Sequence, residues 1–264
     1  MHLDTRQRLG VVEFGRQLVE SGDLDPLYIA LYRSGMGYSQ MCRWLVAYWC
    51  YYHAGLCCWV SERKDYWGAM ARVVQEGTLH PRGTERRHFR GKLAVDSIER
   101  LRRQFRDATD MVDWLADAGP SAAAVMKRVK TLHGFGEWIC WKVPDMLERL
   151  ALAAIQFRGD DVFRMFTSSR QGAEELASRH LDPPSSLLDS HNWLVDNLGP
   201  LPAPPLYDRP INVQETETIF CKWHSHLGGH YPMGKDSYEI RLGLLKYAKC
   251  KTSQALIKGY EKGC

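Results

Sequence analysis

Leu132-His133-Gly134-Phe135-Gly136-Glu137-Trp138 sets one apolar residue between two glycines, with helical periodicity on either side. Upstream, Gly119-Pro120 breaks the chain, and Ser121 is a good N-cap for a helix that places Val125, Val129 and Leu132 on one face. Downstream, a second helix is expected to start near Trp138. Helix, Gly-hydrophobic-Gly turn, helix is the pattern of a helix–hairpin–helix module. Its glycines let backbone N–H groups point outward, and the second helix adds its positive N-terminal dipole, so a DNA phosphate is gripped without its sequence being read. The competing reading is a plain helical corner with glycine at a C-cap.

Working outward, most of the chain reads as helix. Val11 to Ser21 and Gln40 to His53 are expected helices, and Asp96 is expected to begin another with Ile98, Leu101 and Phe105 on its apolar face. Arg100, Arg102, Arg103 and Arg106 cover much of the rest of that helix and would extend a basic patch. Met41 to Val60 matches a membrane span in length. It carries Arg43 and His53, however, and aromatics throughout, so a buried core helix is expected and no membrane partner. Residues 182–210 are rich in proline and read as an extended connection. Residues 211–264 read as a C-terminal helical segment, with two helices joined by a glycine-rich loop. The expected architecture is mainly α: a single domain over residues 1–264, with the hairpin module near 121–151.

The chain is mildly basic, with a formal net charge of +4, which permits a nucleic-acid partner without demanding one. The cysteines form no CxxC pair, and nothing at the start reads as a cleavable signal. Free thiols in a reducing cytoplasm are expected, with no iron–sulfur loop and no cofactor.

Net charge of the same size, +4, is concentrated in one stretch, His80-Pro81-Arg82-Gly83-Thr84-Glu85-Arg86-Arg87-His88-Phe89-Arg90-Gly91-Lys92. Arginine keeps its charge at any working pH and offers a planar donor fork, so such a focus suits phosphate oxygens. A solvated basic loop is the bland alternative. Two further segments carry candidate chemistry. In Phe157-Arg158-Gly159-Asp160-Asp161-Val162-Phe163-Arg164, either aspartate can act as a base or stabilise a developing cation, or simply cap the next helix. In residues 220–236, Lys222, His224, Lys235 and the neighbouring histidines offer charge and proton transfer around glycine turns. Cys221, His224, His226 and His230 are zinc-type donors, but their irregular spacing favours a polar substrate loop, and no metal is expected.

The hairpin and the Phe157–Arg164 segment together resemble helix–hairpin–helix DNA glycosylases, in which a catalytic aspartate follows the hairpin at a similar interval. Two departures stand out. Trp138 occupies the place of the nucleophilic lysine of lyase-type members, and Pro144 is expected to interrupt the second helix. With the arginine stretch and the late Tyr231-Pro232-Met233-Gly234-Lys235-Asp236, the chain resembles the alpha-glutamyl/putrescinyl thymine pyrophosphorylases of bacteriophages, also described as amino acid:DNA transferases. The resemblance covers roughly residues 35–250.

That resemblance implies a DNA-glycosylase-like helical fold and a phage enzyme working in the host cytoplasm. Its substrate would be double-stranded DNA carrying pyrophosphorylated 5-hydroxymethyluracil. An amino acid or polyamine would displace pyrophosphate at the methylene carbon. On this reading Arg82, Arg86, Arg87, Arg90 and His88 clamp pyrophosphate, and His224 and Lys235 complete the substrate site. Gly134, Phe135, Gly136, Lys142 and Arg158 hold DNA, while Asp160, Asp161 or Glu85 supplies the base. A monofunctional DNA glycosylase and a non-catalytic DNA-binding protein are the alternatives; neither accounts as well for so many arginines in one segment.

Overall fold

The computed structural model describes residues 9–76, 91–164, 167–179 and 184–261. In chain order the helices are α1 (Val11–Glu20), α2 (Pro26–Arg33), α3 (Tyr38–Tyr51), α4 (Ala54–Ser61) and α5 (Tyr66–Glu76). Next come α6 (Gly91–Gln104), α7 (Ala108–Ala116), α8 (Ala122–Val129) and α9 (Glu137–Arg149). A 3-10 turn, Gly159–Arg164, precedes α10 (Thr167–Arg179), α11 (Leu187–Leu198), α12 (Val213–Leu227), α13 (Lys235–Leu245) and α14 (Lys251–Glu261). No strand occurs among the described residues, so the fold is mainly α, as the periodicity predicts. The chain divides into two compact units: Met1–Pro26 with Gln156–Ser237, and Leu27–Ile155 with Tyr238–Cys264.

In the second unit, α3 is buried on almost every side, every residue from Met41 to Tyr51 except Arg43. This explains why the segment reads as apolar enough for a membrane. The expected single helix from Met41 to Val60 is in fact two, because Tyr52 turns left-handed (φ +50°) and ends α3. The His53 ring then accepts the Leu56 N–H at 3.0 Å and starts α4. No described helix is long and apolar enough to cross a membrane. Ser121 caps α8 as expected, its Oγ accepting the Ala124 N–H at 3.2 Å. The expected break at Pro144 does not occur: α9 runs through it. Proline removes one amide donor, so the local loss falls on the Cys140 carbonyl, and the buried ring adds to the packed face. α6 starts at Gly91, one and a half turns before the expected Asp96.

The first unit closes around Phe14, Leu18, Leu194, Ile219 and Phe220. Here α10 and α12 touch backbone to backbone: a Cβ on Gly172 would stand 2.3 Å from the Phe220 carbonyl oxygen. The expected extended connection 182–210 contains α11, which carries Leu194 and Leu198 into this core. The prolines bracket that helix instead of filling it. Ser186 caps it by accepting the Asp189 N–H at 3.1 Å. The C-terminal segment likewise holds three helices where two were expected, because α13 and α14 are separated by a short turn.

Candidate functional site

In the second unit, α8 and α9 meet at the hairpin. Gly134 has φ +86°, which an L side chain rarely adopts, and the Phe135 N–H closes the turn on the Leu132 carbonyl at 3.2 Å. Phe135 is only 8% exposed, so its ring anchors the turn from within. Gly136 is the N-cap of α9 and has no side chain to satisfy the first amides, which leaves that end suited to an external anion. Glu137 stands in this first turn, and Lys130 holds its carboxylate at 3.3 Å.

His133 ties the hairpin to α6. Its Nδ1 is 2.8 Å from Ser97 Oγ and its Nε2 is 3.7 Å from Asp96 Oδ2. Ser97 Oγ already donates to the Leu93 carbonyl, so the imidazole Nδ1–H is the donor to Ser97. Ser97 lies six residues into α6, on the order of 10 Å along the axis from its start. The arginine stretch is joined covalently to that start. Arg82, Glu85, Arg86, Arg87, His88 and Arg90 themselves lie outside the described residues.

The basic patch does not continue along α6 as free charge. Arg100 pairs with Asp96 at 2.9 Å, Arg102 with Glu99 at 3.9 Å, and Arg106 with Asp110 at 2.7 Å. Interleaved acids one turn away neutralise the row that the sequence suggested, and Arg103 alone of the four has no ion pair among the described residues.

Lys142 lies in α9 and turns inward, its side chain 12% exposed. It donates to Asp145 Oδ2 at 3.0 Å, and the Tyr28 hydroxyl donates to the same oxygen at 2.5 Å. Arg149 is 3.8 Å from Asp145 Oδ1, which accepts no hydrogen bond among the described residues. Both cations sit 4.7 Å from the Tyr28 ring centre. The Lys142 charge thus helps hold α9 to α2. At the N-terminal end of α9, Trp138 meets Tyr52 edge to face, with centroids 4.7 Å apart. Burial pushes the nearby Cys140 thiol up to about 11, so it is no nucleophile at neutral pH.

The remaining candidates belong to the first unit. Asp161 is buried and folds back, its Oδ2 accepting the Arg158 N–H at 2.8 Å, so it ties down the start of the 3-10 turn in which it lies. Asp160 is exposed, as is Arg158. His224 is half-buried, and Lys235 donates to the His230 carbonyl at 2.9 Å. His226 is bound on both ring nitrogens, Nδ1 lying 3.0 Å from the Tyr231 carbonyl and Nε2 accepting the Leu9 N–H at 3.5 Å. Among the described residues no three His, Cys, Asp or Glu side chains group to hold a metal.

The late motif is organised by a residue that the sequence did not single out. Asp23 is 1% exposed, and its carboxylate accepts four hydrogen bonds. These come from the Tyr231 hydroxyl (2.8 Å), the Gly234 N–H (2.8 Å), the Ser237 N–H (3.0 Å) and the Ser237 hydroxyl (2.7 Å). Lys222 donates to the Asp23 carbonyl at 2.5 Å and pairs with Asp236 at 2.7 Å. Burial, with the Asp236 and Asp23 carboxylates alongside, pushes the Tyr231 phenol far up and keeps it a neutral donor. A second pair, half-buried Arg209 on buried Glu215 with both N–O distances 3.1 Å, fixes the start of α12. Spacing reveals neither, because the partners are distant in sequence or sit in an irregular turn.

A family model for amino acid:DNA transferases matches residues 59–231, about two thirds of the chain. The chain belongs to the amino acid:DNA transferase family. A glycinyltransferase of Pseudomonas phage PaMx11 is similar across 96% of both chains, at 37% identity over 281 aligned residues. A putrescinyltransferase of Delftia phage PhiW-14 shares 26% identity over 254 residues, covering 90% of this family member and 79% of the relative. The hairpin, the aspartate pair and the arginine stretch fall inside the matched span, whereas of the late motif only Tyr231 does. Asp23 and Tyr52 lie before the span.

Proposed function

We propose that this family member transfers a small amine to DNA carrying 5-pyrophosphoryloxymethyluracil. The amine nitrogen forms a bond to the exocyclic methylene carbon, the carbon–oxygen bond breaks, and pyrophosphate leaves with the electron pair. The amine's proton passes to a base. The observation that carries this reading is the His133 link: the hairpin is fixed to the first turns of the helix that continues from the arginine stretch. That link joins the segment assigned to a backbone phosphate to the helix whose preceding residues in sequence are assigned to the denser phosphate group on the target base. Fixed guanidinium groups stabilise the charge that grows on departing pyrophosphate.

Arg82, Arg86, Arg87, Arg90 and His88 are assigned to that leaving group, with Glu85 beside them, and Gly134 and Gly136 to the duplex backbone. Phe135 supports the turn and Lys142 supports α9 from inside. In the first unit, exposed Asp160 is preferred over Asp161 as the base, and Arg158, His224 and Lys235 remain the groups assigned to DNA and amine. The glycosylase-like fold and extrusion of the base from the duplex belong to the same proposal. Glycine is the first donor to try, given the PaMx11 relative's name, followed by putrescine.

The test incubates the protein with pyrophosphorylated hydroxymethyluracil DNA and a mixture of amino acids and polyamines, then weighs the nucleosides by mass spectrometry. A new nucleoside with released pyrophosphate is expected, and Arg86→Ala or Arg87→Ala should abolish it. Abasic sites, or unchanged nucleosides with every donor, would overturn the reading.

A further inference from the structure

The last two helices carry positive charge that the described residues leave largely unpaired. Residues 240–260 hold Arg241, Lys246, Lys249, Lys251 and Lys258 and neither aspartate nor glutamate, a net charge of +5. Arg241 pairs with Glu261 at 3.7 Å, but all four lysines are exposed and have no ion pair among the described residues. α6 shows the contrast: three of its arginines meet acids one turn away and are spent on them. The lysines also lie beyond residue 231, where the family match ends.

Lys246 and Lys249 lie in the short turn between α13 and α14, and Lys251 opens α14. The turn is firmly held. A Cβ on Gly55 of α4 would stand 2.1 Å from the Gly243 carbonyl oxygen, so α13 meets α4 backbone to backbone. The Ser253 hydroxyl donates to the Leu244 carbonyl at 2.7 Å, and the Gln254 side-chain amide to the Ala248 carbonyl at 2.8 Å. Glu62, an acid beside the turn, is occupied by the Thr252 N–H at 2.6 Å. Exposed Arg63 faces the thiol of Cys250, the residue flanked by Lys249 and Lys251, and adds a further cation. The positive end of a helix disfavours a cation such as Lys251, so the fold itself gains nothing from that charge.

We infer that the α13–α14 turn, through Lys246, Lys249 and Lys251, is a second surface for the DNA backbone. This rests on the reading above in that DNA is the substrate. A duplex carries a negative charge for about every 1.7 Å of its axis, and ammonium groups on a braced turn meet that row without ordering the backbone and without reading sequence. The turn belongs to the same unit as the hairpin. Tyr247 meets His53 edge-on at 5.8 Å, and the preceding Tyr52 meets Trp138 of α9 at 4.7 Å, so ring contacts join the two segments. The hairpin grips one phosphate, and the lysine turn lengthens the footprint on the duplex.

The experiment measures affinity for a plain duplex by fluorescence anisotropy between about 50 and 200 mM salt. It compares the unaltered protein with a triple variant, Lys246→Gln with Lys249→Gln and Lys251→Gln. A matched variant, Arg100→Gln with Arg102→Gln and Arg106→Gln, removes the same charge where it is already paired. Each phosphate contact contributes about 0.9 to the slope of log affinity against log salt, so the lysine variant should lose about 2–3 units of slope and about tenfold or more in affinity at low salt. The α6 variant should lose less than about one unit, and arginine at all three lysine positions should keep the slope. An unchanged slope in the glutamine variant would overturn the inference, as would an equal loss in the α6 variant or no measurable duplex affinity in the unaltered protein. Unchanged duplex affinity with lost retention on phosphatidylserine vesicles would give the patch to a membrane surface and equally overturn it. Lysine-dependent duplex binding in a protein that transfers no amine upholds the surface and sinks the transferase reading; transfer with an unchanged slope does the reverse.

Discussion

Asp23 and Tyr231 offer a direct measure of what the late motif rests on. Replacing Tyr231 by phenylalanine removes one hydroxyl donor to a buried carboxylate and leaves three others in place. A hydrogen bond to a charged group contributes roughly 1.5–3 kcal/mol, so Tyr231→Phe should cost about 2 kcal/mol. Asp23→Ala strips the acceptor from all four donors at once and leaves the Gly234 and Ser237 amides and the Tyr231 hydroxyl to find water. A loss of about 3–5 kcal/mol follows, the range for removing one partner from a buried charged network. In the double variant the hydroxyl has nothing left to lose, so the two effects should fall short of additive by about 1–2 kcal/mol. Urea denaturation of the four proteins, followed by far-UV circular dichroism, gives each term from midpoint and slope. Additivity within about 0.4 kcal/mol would show that the phenol and the carboxylate do not communicate, and the account of the loop as an Asp23-centred cage would fall.

Two other expectations concern the same unit. Gly172→Ala sets a methyl group against the Phe220 carbonyl at 2.3 Å, so α10 and α12 must part, at a cost of about 1–3 kcal/mol in the same urea assay; a neutral result would deny the close approach. His191 is buried against Thr216 (Nδ1 to Oγ1, 2.8 Å), and burial lowers its pKa from the usual 6.5. Its neutral form is favoured in the fold, so its contribution is complete above pH 6.5 and drains away as pH falls through the lower folded value. Stability measured from pH 8 to 5 should fall more steeply in the unaltered protein than in His191→Gln, and parallel curves would refute the assignment.

What the sequence discloses follows from how local each signal is. The Ser121 cap and the Gly134–Gly136 turn depend on neighbours within a few residues, and both are where the local pattern puts them. The helical nature of α3 is equally legible, and the expected helix Gln40 to His53 ends within two residues of it; what marks the end is not, because a left-handed tyrosine has no compositional sign, so Met41–Val60 also reads as one buried element. Proline density around 182–210 conceals α11 because prolines at the borders of a helix look the same as prolines in a coil. Pro144 misleads in the other direction, since the cost of one lost amide is smaller than what the buried face of α9 gains. The arginines of α6 read as a patch because composition counts charges, whereas the structure pairs them with acids a turn away. Asp23 and the Tyr28–Asp145 contact escape entirely, because their partners lie more than a hundred residues off along the chain.

The pairing of α1 with α12 sets a condition on how this chain is made. Phe14 and Leu18 find their cover in Ile219, Phe220 and Tyr231, which leave the ribosome some two hundred residues later. At about 5–20 residues per second that delay is roughly 10–40 s, during which an amphipathic helix with a fully formed apolar face has no native partner. Contacts of such sequence separation also slow the final closure, since the ends of a long loop must meet before any burial rewards them. The segment 27–155, whose own helices pack largely on neighbours in sequence, can form while α1 waits. The opening helix is therefore the part of this protein most exposed to a chaperone, or to another nascent copy, at the moment of synthesis.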